Sequence, residues 1–105
     1  MKYNIKLTAT FLEEVDEICR YISIRLKAID AAKRLREKIA YNILLLESSP
    51  KMFTEIEKTE KTARKYWRIV INNYVVLYTI DEDKNTVYVS HIYYGGTDYM
   101  SNLNK

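Results

Sequence analysis

The sequence predicts an α+β fold of two layers, an antiparallel helical hairpin packed on an antiparallel β-sheet that includes an N-terminal strand. Three observations predict it. The chain opens on a strict apolar–polar alternation. Two stretches of helical period follow, separated by only two or three residues. The second half is rich in β-branched and aromatic residues and is cut by short polar loops.

Residues 2–7 place Tyr3, Ile5 and Leu7 on one side and Lys2, Asn4 and Lys6 on the other, the period of a half-buried strand. Thr8 and Thr10 are both able to cap the first helix, and Glu13 and Glu14 lie in its early turns, where carboxylates are favoured. Phe11, Val15, Ile18 and Ile22 recur at steps of three and four, flanked by Leu12, Cys19 and Leu26, and form one apolar stripe. Cys19 reads as a small buried hydrophobe of that stripe.

Asp30 is placed as N-cap of a second helix through Ala32, Leu35, Ile39, Ile43 and Leu46. Ser48-Ser49-Pro50 ends it, because the residue before proline is pushed out of the helical region. A connection this short makes the helices antiparallel. Residues 64–71, 74–80 and 86–94 read as three strands of a meander. Asn72-Asn73 is a tight turn, since Asn tolerates positive φ, and 81–85 is a longer polar loop. Residues 97–105 form a tail with room for one more turn or strand.

Composition bounds the function. A chain of 105 residues with 48% hydrophobic and 30% charged residues has room for one domain, 1–105, with a core and a soluble surface. One cysteine excludes a disulfide framework and a Cys-based zinc site. No apolar run approaches the roughly 20 residues that span a bilayer. A cytoplasmic protein with no membrane partner is expected. Glycine-rich phosphate loops, nucleophile elbows and zinc-binding HExxH are absent, and Asp81-Glu82-Asp83 reads as a solvated turn, so no metal and no cofactor is expected.

Net charge is +3, yet residues 51–68 hold six basic residues (Lys51, Lys58, Lys61, Arg64, Lys65, Arg68) against three acidic (Glu55, Glu57, Glu60). Such an excess favours an anionic partner. A two-residue turn at Asn72-Asn73 sets Ile71 opposite Tyr74, Val70 opposite Val75 and Arg68 opposite Leu77. Trp67, Ile69 and Ile71 with Tyr74, Val76, Tyr78 and Ile80 then face the helices. The other face carries Arg64, Tyr66, Arg68, Val70, Val75, Leu77 and Thr79, and no helix remains to cover it. Exposed Val70, Val75 and Leu77 mark a partner-binding patch on this open face, and Arg64 and Arg68 suit phosphate or carboxylate. His91 is the only histidine, and strand parity leaves its direction open.

The order of strand, helical hairpin and meander resembles the RelE/ParE superfamily of toxins from type II toxin–antitoxin systems. The matching phrases are Ile18-Cys19-Arg20-Tyr21-Ile22, Leu46-Glu47-Ser48-Ser49-Pro50, Asn73-Tyr74-Val75-Val76-Leu77-Tyr78-Thr79-Ile80 and Ile92-Tyr93-Tyr94-Gly95-Gly96-Thr97-Asp98-Tyr99. The resemblance implies a growth-inhibiting toxin neutralised by a cognate antitoxin in a toxin–antitoxin hetero-oligomer. It implies one of two targets, DNA gyrase or ribosome-bound mRNA, with a degraded toxin that only binds protein as the alternative. For mRNA cleavage it points to metal-independent chemistry with Arg64, Arg68 and His91 as catalytic candidates and Lys65 and Tyr66 as phosphate contacts. Val70, Val75 and Leu77 become the antitoxin contacts. The chain departs from the superfamily in two places: relatives often carry Arg at the position of Val75, and Gly-Arg-Arg-Asp where this chain reads Gly95-Gly96-Thr97-Asp98. Each missing cation costs a phosphate-cutting site on the order of a hundredfold in rate.

Overall fold

The computed structural model describes residues 2–56 and 65–95. Strand β1 (Asn4–Leu7) leads into helix α1 (Ala9–Arg20), a π-helical turn (Tyr21–Arg25) and helix α2 (Ile29–Leu45). Strands β2 (Thr54–Ile56), β3 (Tyr66–Ile71), β4 (Tyr74–Asp81) and β5 (Thr86–Tyr94) follow. The sheet order is β1-β5-β4-β3-β2, with β1 parallel to β5 and the other pairs antiparallel. The two-layer α+β class is as predicted, but the sheet is mixed. The short β2 was not foreseen, because Thr54-Glu55-Ile56 is too brief and too exposed to show a pattern.

Of the two candidate caps, Thr8 starts α1: its Oγ1 accepts the Phe11 N–H at 3.1 Å. The same hydroxyl donates to the Ser90 carbonyl at 3.1 Å, and the Thr8 N–H donates to Val89 at 3.1 Å, so the cap also ties α1 to β5. Asp30 does not cap α2. Ala28 holds that position without a side-chain bond, and Asp30 lies in the first turn, where its carboxylate still suits the helix dipole. After Leu45 the helix tightens, with Leu46 and Glu47 N–H groups donating to carbonyls three residues back.

Phe11, Val15, Cys19, Ala32, Leu35, Ile39 and Leu46 pack from the helical layer on Ile69, Ile71, Val76, Tyr78, Val87, Val89 and Ile92. Cys19 is buried in this core, as predicted, and burial raises its thiol pKa. Leu26, assigned to the same stripe, is exposed instead. In the π-helical turn the Leu26 N–H reaches back five residues to Tyr21 at 3.2 Å. That extra residue rotates everything after it out of the 3.6-residue register.

The β3–β4 register is the one the Asn72-Asn73 turn dictates, with Asn72 at φ 54. Between β4 and β5 the register slips by one: Leu77 pairs with His91 but Tyr78 pairs with Val89, which leaves Ser90 as a bulge. The bulge lets Val87, Val89 and Ile92 all face the core despite their mixed parity. His91, paired with Leu77, lies on the opposite side.

Tyr78 is fully buried against Trp67, and its hydroxyl donates to the Pro50 carbonyl at 2.6 Å. Burial pushes its phenol far above the usual range, so it remains a donor at any working pH. Tyr78→Phe leaves that buried carbonyl without the bond and should cost about 1–3 kcal/mol. A lower urea midpoint at unchanged slope is the expected reading; an unchanged midpoint would show that water replaces the hydroxyl.

Candidate functional site

On the open face, cross-strand pairing lines up Thr54, Arg68, Leu77 and His91 in one row across β2–β5. Val70, Val75 and Tyr93 form the row on one side, and Thr79 and Tyr88 a row on the other. At about 4.8 Å per strand, the backbones of Arg68 and His91 stand roughly 10 Å apart with Leu77 between them.

The expected exposed apolar patch is not there. Val70 is 64% exposed, but Val75 is 6% and Leu77 0% exposed. Both point away from the helices, as the register requires, and both are nevertheless covered. A sheet face without a helix is not for that reason bare. Leu77→Glu, which a bare face would tolerate, would here bury an unpaired carboxylate and unfold the domain. Of the three expected contacts, Val70 alone is accessible to a partner.

Arg68 and Tyr66 are half-buried on β3. Lys65 is committed elsewhere: its Nζ lies 2.9 Å from Glu55 Oε1 and 5.8 Å from the Trp67 ring centroid. Lys51 is paired with Glu82 at 3.0 Å. Arg64 and the predicted tail, with Gly96, Thr97 and Asp98, lie outside the described residues. The basic segment 51–68 is therefore partly neutralised where it is described.

The structure adds one group, whose sequence position shows only a favourable helix-start charge. β1 ends opposite Val89, so the edge of β5 beyond it needs another partner. Glu14 of α1 supplies it: Oε1 accepts the Ile92 N–H at 3.1 Å. The same oxygen lies 3.4 Å from His91 Nδ1, which also contacts the Tyr93 hydroxyl at 3.1 Å. The His91 and Tyr93 rings stack at 5.3 Å. Burial raises the Glu14 pKa and outweighs the opposing effects of the Ile92 N–H and His91; Glu17 adds a smaller upward push. Burial also raises the Tyr93 phenol. The Tyr93 hydroxyl is thus the hydrogen-bond partner of His91 Nδ1, with the Glu14 carboxylate beside both. Among the described residues no group of His, Cys, Asp and Glu is arranged to hold a metal ion.

This fold, a helical hairpin over a mixed five-strand sheet with one open face, is that of the RelE/ParE class of toxins. The family model "ParE toxin of type II toxin-antitoxin system, parDE" matches residues 5–99. The chain belongs to this family and is a type II toxin. Among solved structures it is similar to a chain of the chromosomal ParDE toxin–antitoxin system of P. aeruginosa, with TM-score 0.69, 9% identity and coverage of 89% of this chain and 96% of that one. It is also similar to a mutant of E. coli toxin RelE in the free state (TM-score 0.60, 16% identity, 99% and 95% covered). A third is the RelBE toxin–antitoxin complex of Mycobacterium tuberculosis (TM-score 0.59, 15% identity, 90% and 99% covered). At these identities the likeness is one of fold. No curated protein matches the chain. No helix among the described residues is long and apolar enough to cross a membrane.

Glu14 gives the site a pH signature. Its folded pKa lies above its usual 4.5, so the folded state holds the proton more tightly than the unfolded chain. The stability it contributes is complete below about 4.5 and is lost as pH rises through the raised value. Glu14→Gln keeps an acceptor for the Ile92 N–H and removes the titration. Urea melts of both proteins between about pH 4 and pH 7 should show the wild type losing stability relative to the variant as pH rises. Parallel curves would place Glu14 in solvent.

Proposed function

We propose that this toxin acts on DNA gyrase and that a cognate antitoxin neutralises it. One observation carries the choice of target: the middle of the open face holds buried Val75 and Leu77, where a phosphate-cutting centre needs cations. Lys65 is drawn to Glu55, and Arg68 and His91 stand about two strand spacings apart across an aliphatic strand. A phosphorane-like transition state would find little cationic stabilisation between them. The family and the toxin–antitoxin complexes among its structural neighbours support the antitoxin partner.

A second reading, ribosome-dependent mRNA cleavage, draws on the contacts among Glu14, His91 and Tyr93. A histidine oriented by a carboxylate is a competent proton carrier. In that reading His91 moves the proton, Arg68 and Arg64 meet the phosphate, and Lys65 and Tyr66 line its path.

Purified toxin added to gyrase and supercoiled plasmid should accumulate cleaved plasmid, and the antitoxin should suppress it. New mRNA breaks after induction, abolished by His91→Ala with Arg68→Ala, would replace this reading with the second. Neither product, in cells that grow normally with soluble toxin, would leave a degraded toxin that only binds protein.

For the antitoxin contact, Val70 is the accessible member of the expected patch. Val70→Glu should weaken antitoxin binding about tenfold or more in calorimetric titration while leaving the thermal melt unchanged, because Val70 is already in solvent. Unchanged affinity would place the antitoxin off this face.

A further inference from the structure

The far end of the helical hairpin joins three features that the proposed function does not use. The first is exposed apolar surface: Tyr21 (55%), Ile24 (63%), Leu26 (57%) and Ile29 (72%) fall within nine consecutive residues. The second is charge. Residues 20–34 hold five basic residues (Arg20, Arg25, Lys27, Lys33, Arg34) and one acidic, Asp30, a net of +4. The rest of the chain has twelve basic and thirteen acidic residues, so this tip carries more than the whole net charge of +3. The third is the π-helical turn, which rotates Leu26 off the core stripe and holds Lys27 at φ 53. By taking Leu26 off the core stripe, the turn adds to the apolar side chains that face outward.

We propose that this tip docks an acidic polypeptide segment carrying apolar anchors. The charge and the chemistry of the exposed groups argue for that occupant. Ile24, Leu26 and Ile29 offer no hydrogen bond and no ring to a nucleic-acid base, so a phosphate backbone would satisfy the cations and leave the aliphatics wet. A shallow cavity of about 300 Å³ between Glu17, Arg20, Tyr21, Ile24 and Arg25 suits one inserted side chain, which a bilayer surface does not present. Arg20 is already paired with Asp16, whereas Arg25, Lys27, Lys33 and Arg34 have no ion pair among the described residues. These four steer an acidic partner and set its register, while the apolar cluster supplies the contact area. The proposal is independent of which target the toxin poisons.

The test uses the folded toxin and a labelled synthetic helix with Leu at positions i, i+3 and i+4 and Glu at the rest, beside a counterpart with Lys for every Glu. The acidic helix should bind at least about tenfold more tightly than the basic one, and that preference should shrink as salt rises. Arg25→Glu with Lys27→Glu should abolish the preference, and Ile24→Ser with Ile29→Ser should weaken the acidic helix about tenfold. Both double variants alter exposed residues and should melt with the wild type. In a second arm, purified antitoxin and purified gyrase are titrated against the charge-reversed variant, and loss of affinity for either one identifies the natural occupant. Equal binding of both helices would overturn the proposal, as would unchanged affinity for both proteins. So would binding only to vesicles of mixed neutral and anionic phospholipid, which would make the tip a membrane contact.

Discussion

β5 is nine residues long and β1 only four, so the backbone groups that β5 turns to that edge beyond β1 must find hydrogen-bond partners outside a strand. The junction that follows β1 meets that constraint. Thr8 takes the carbonyls of Val89 and Ser90, and Glu14 takes the N–H of Ile92. The same bonds fix where α1 begins and how it lies on the sheet. They also explain why a carboxylate is half-buried beside the only histidine. Satisfying a strand edge and building the His91 environment are one arrangement, because an unpaired N–H at that depth costs more than a partly desolvated glutamate with two partners.

Where a rigid local device set the geometry, the sequence was sufficient. The Asn72-Asn73 turn allows one pairing, and the Trp67–Ile71 and Tyr74–Ile80 faces followed from it residue by residue. In two places one added residue breaks the period. The Ser90 bulge inverts parity within β5, so Val87, Val89 and Ile92 share the core. The π-helical turn does the same to Leu26. Neither insertion has a composition signal. The parallel direction of β1 and the three residues of β2 were equally invisible, since both depend on edges supplied by other strands. At the candidate site Arg68 and His91 were legible as residue types. Glu14 was not, because its role comes from a strand almost eighty positions later.

The forces around the open face differ in size by more than their number suggests. The exposed pairs Lys51–Glu82 and Lys65–Glu55 are screened by water and salt and add little. Full burial of a side chain such as Leu77 is worth roughly 1.5–3 kcal/mol. The face is therefore held by its aliphatic centre and only decorated by its charges. Evolutionary change at its rim is cheap, whereas a cation placed at Val75 would have to displace buried surface.

The parallel pairing of β1 has a kinetic side. Thr8 and Ser90 are 82 positions apart, so the first strand and the helix cap it leads into wait for the last strand described before either finds its partner. Closing a loop of that length carries an entropic toll that local hairpins do not, and non-local pairing of this kind slows folding. The helical hairpin and the β3–β4 turn can form early from neighbours in sequence, while the layer that unites them assembles late. During synthesis the α1 stripe, from Phe11 to Cys19, thus emerges well before the sheet that will shelter it.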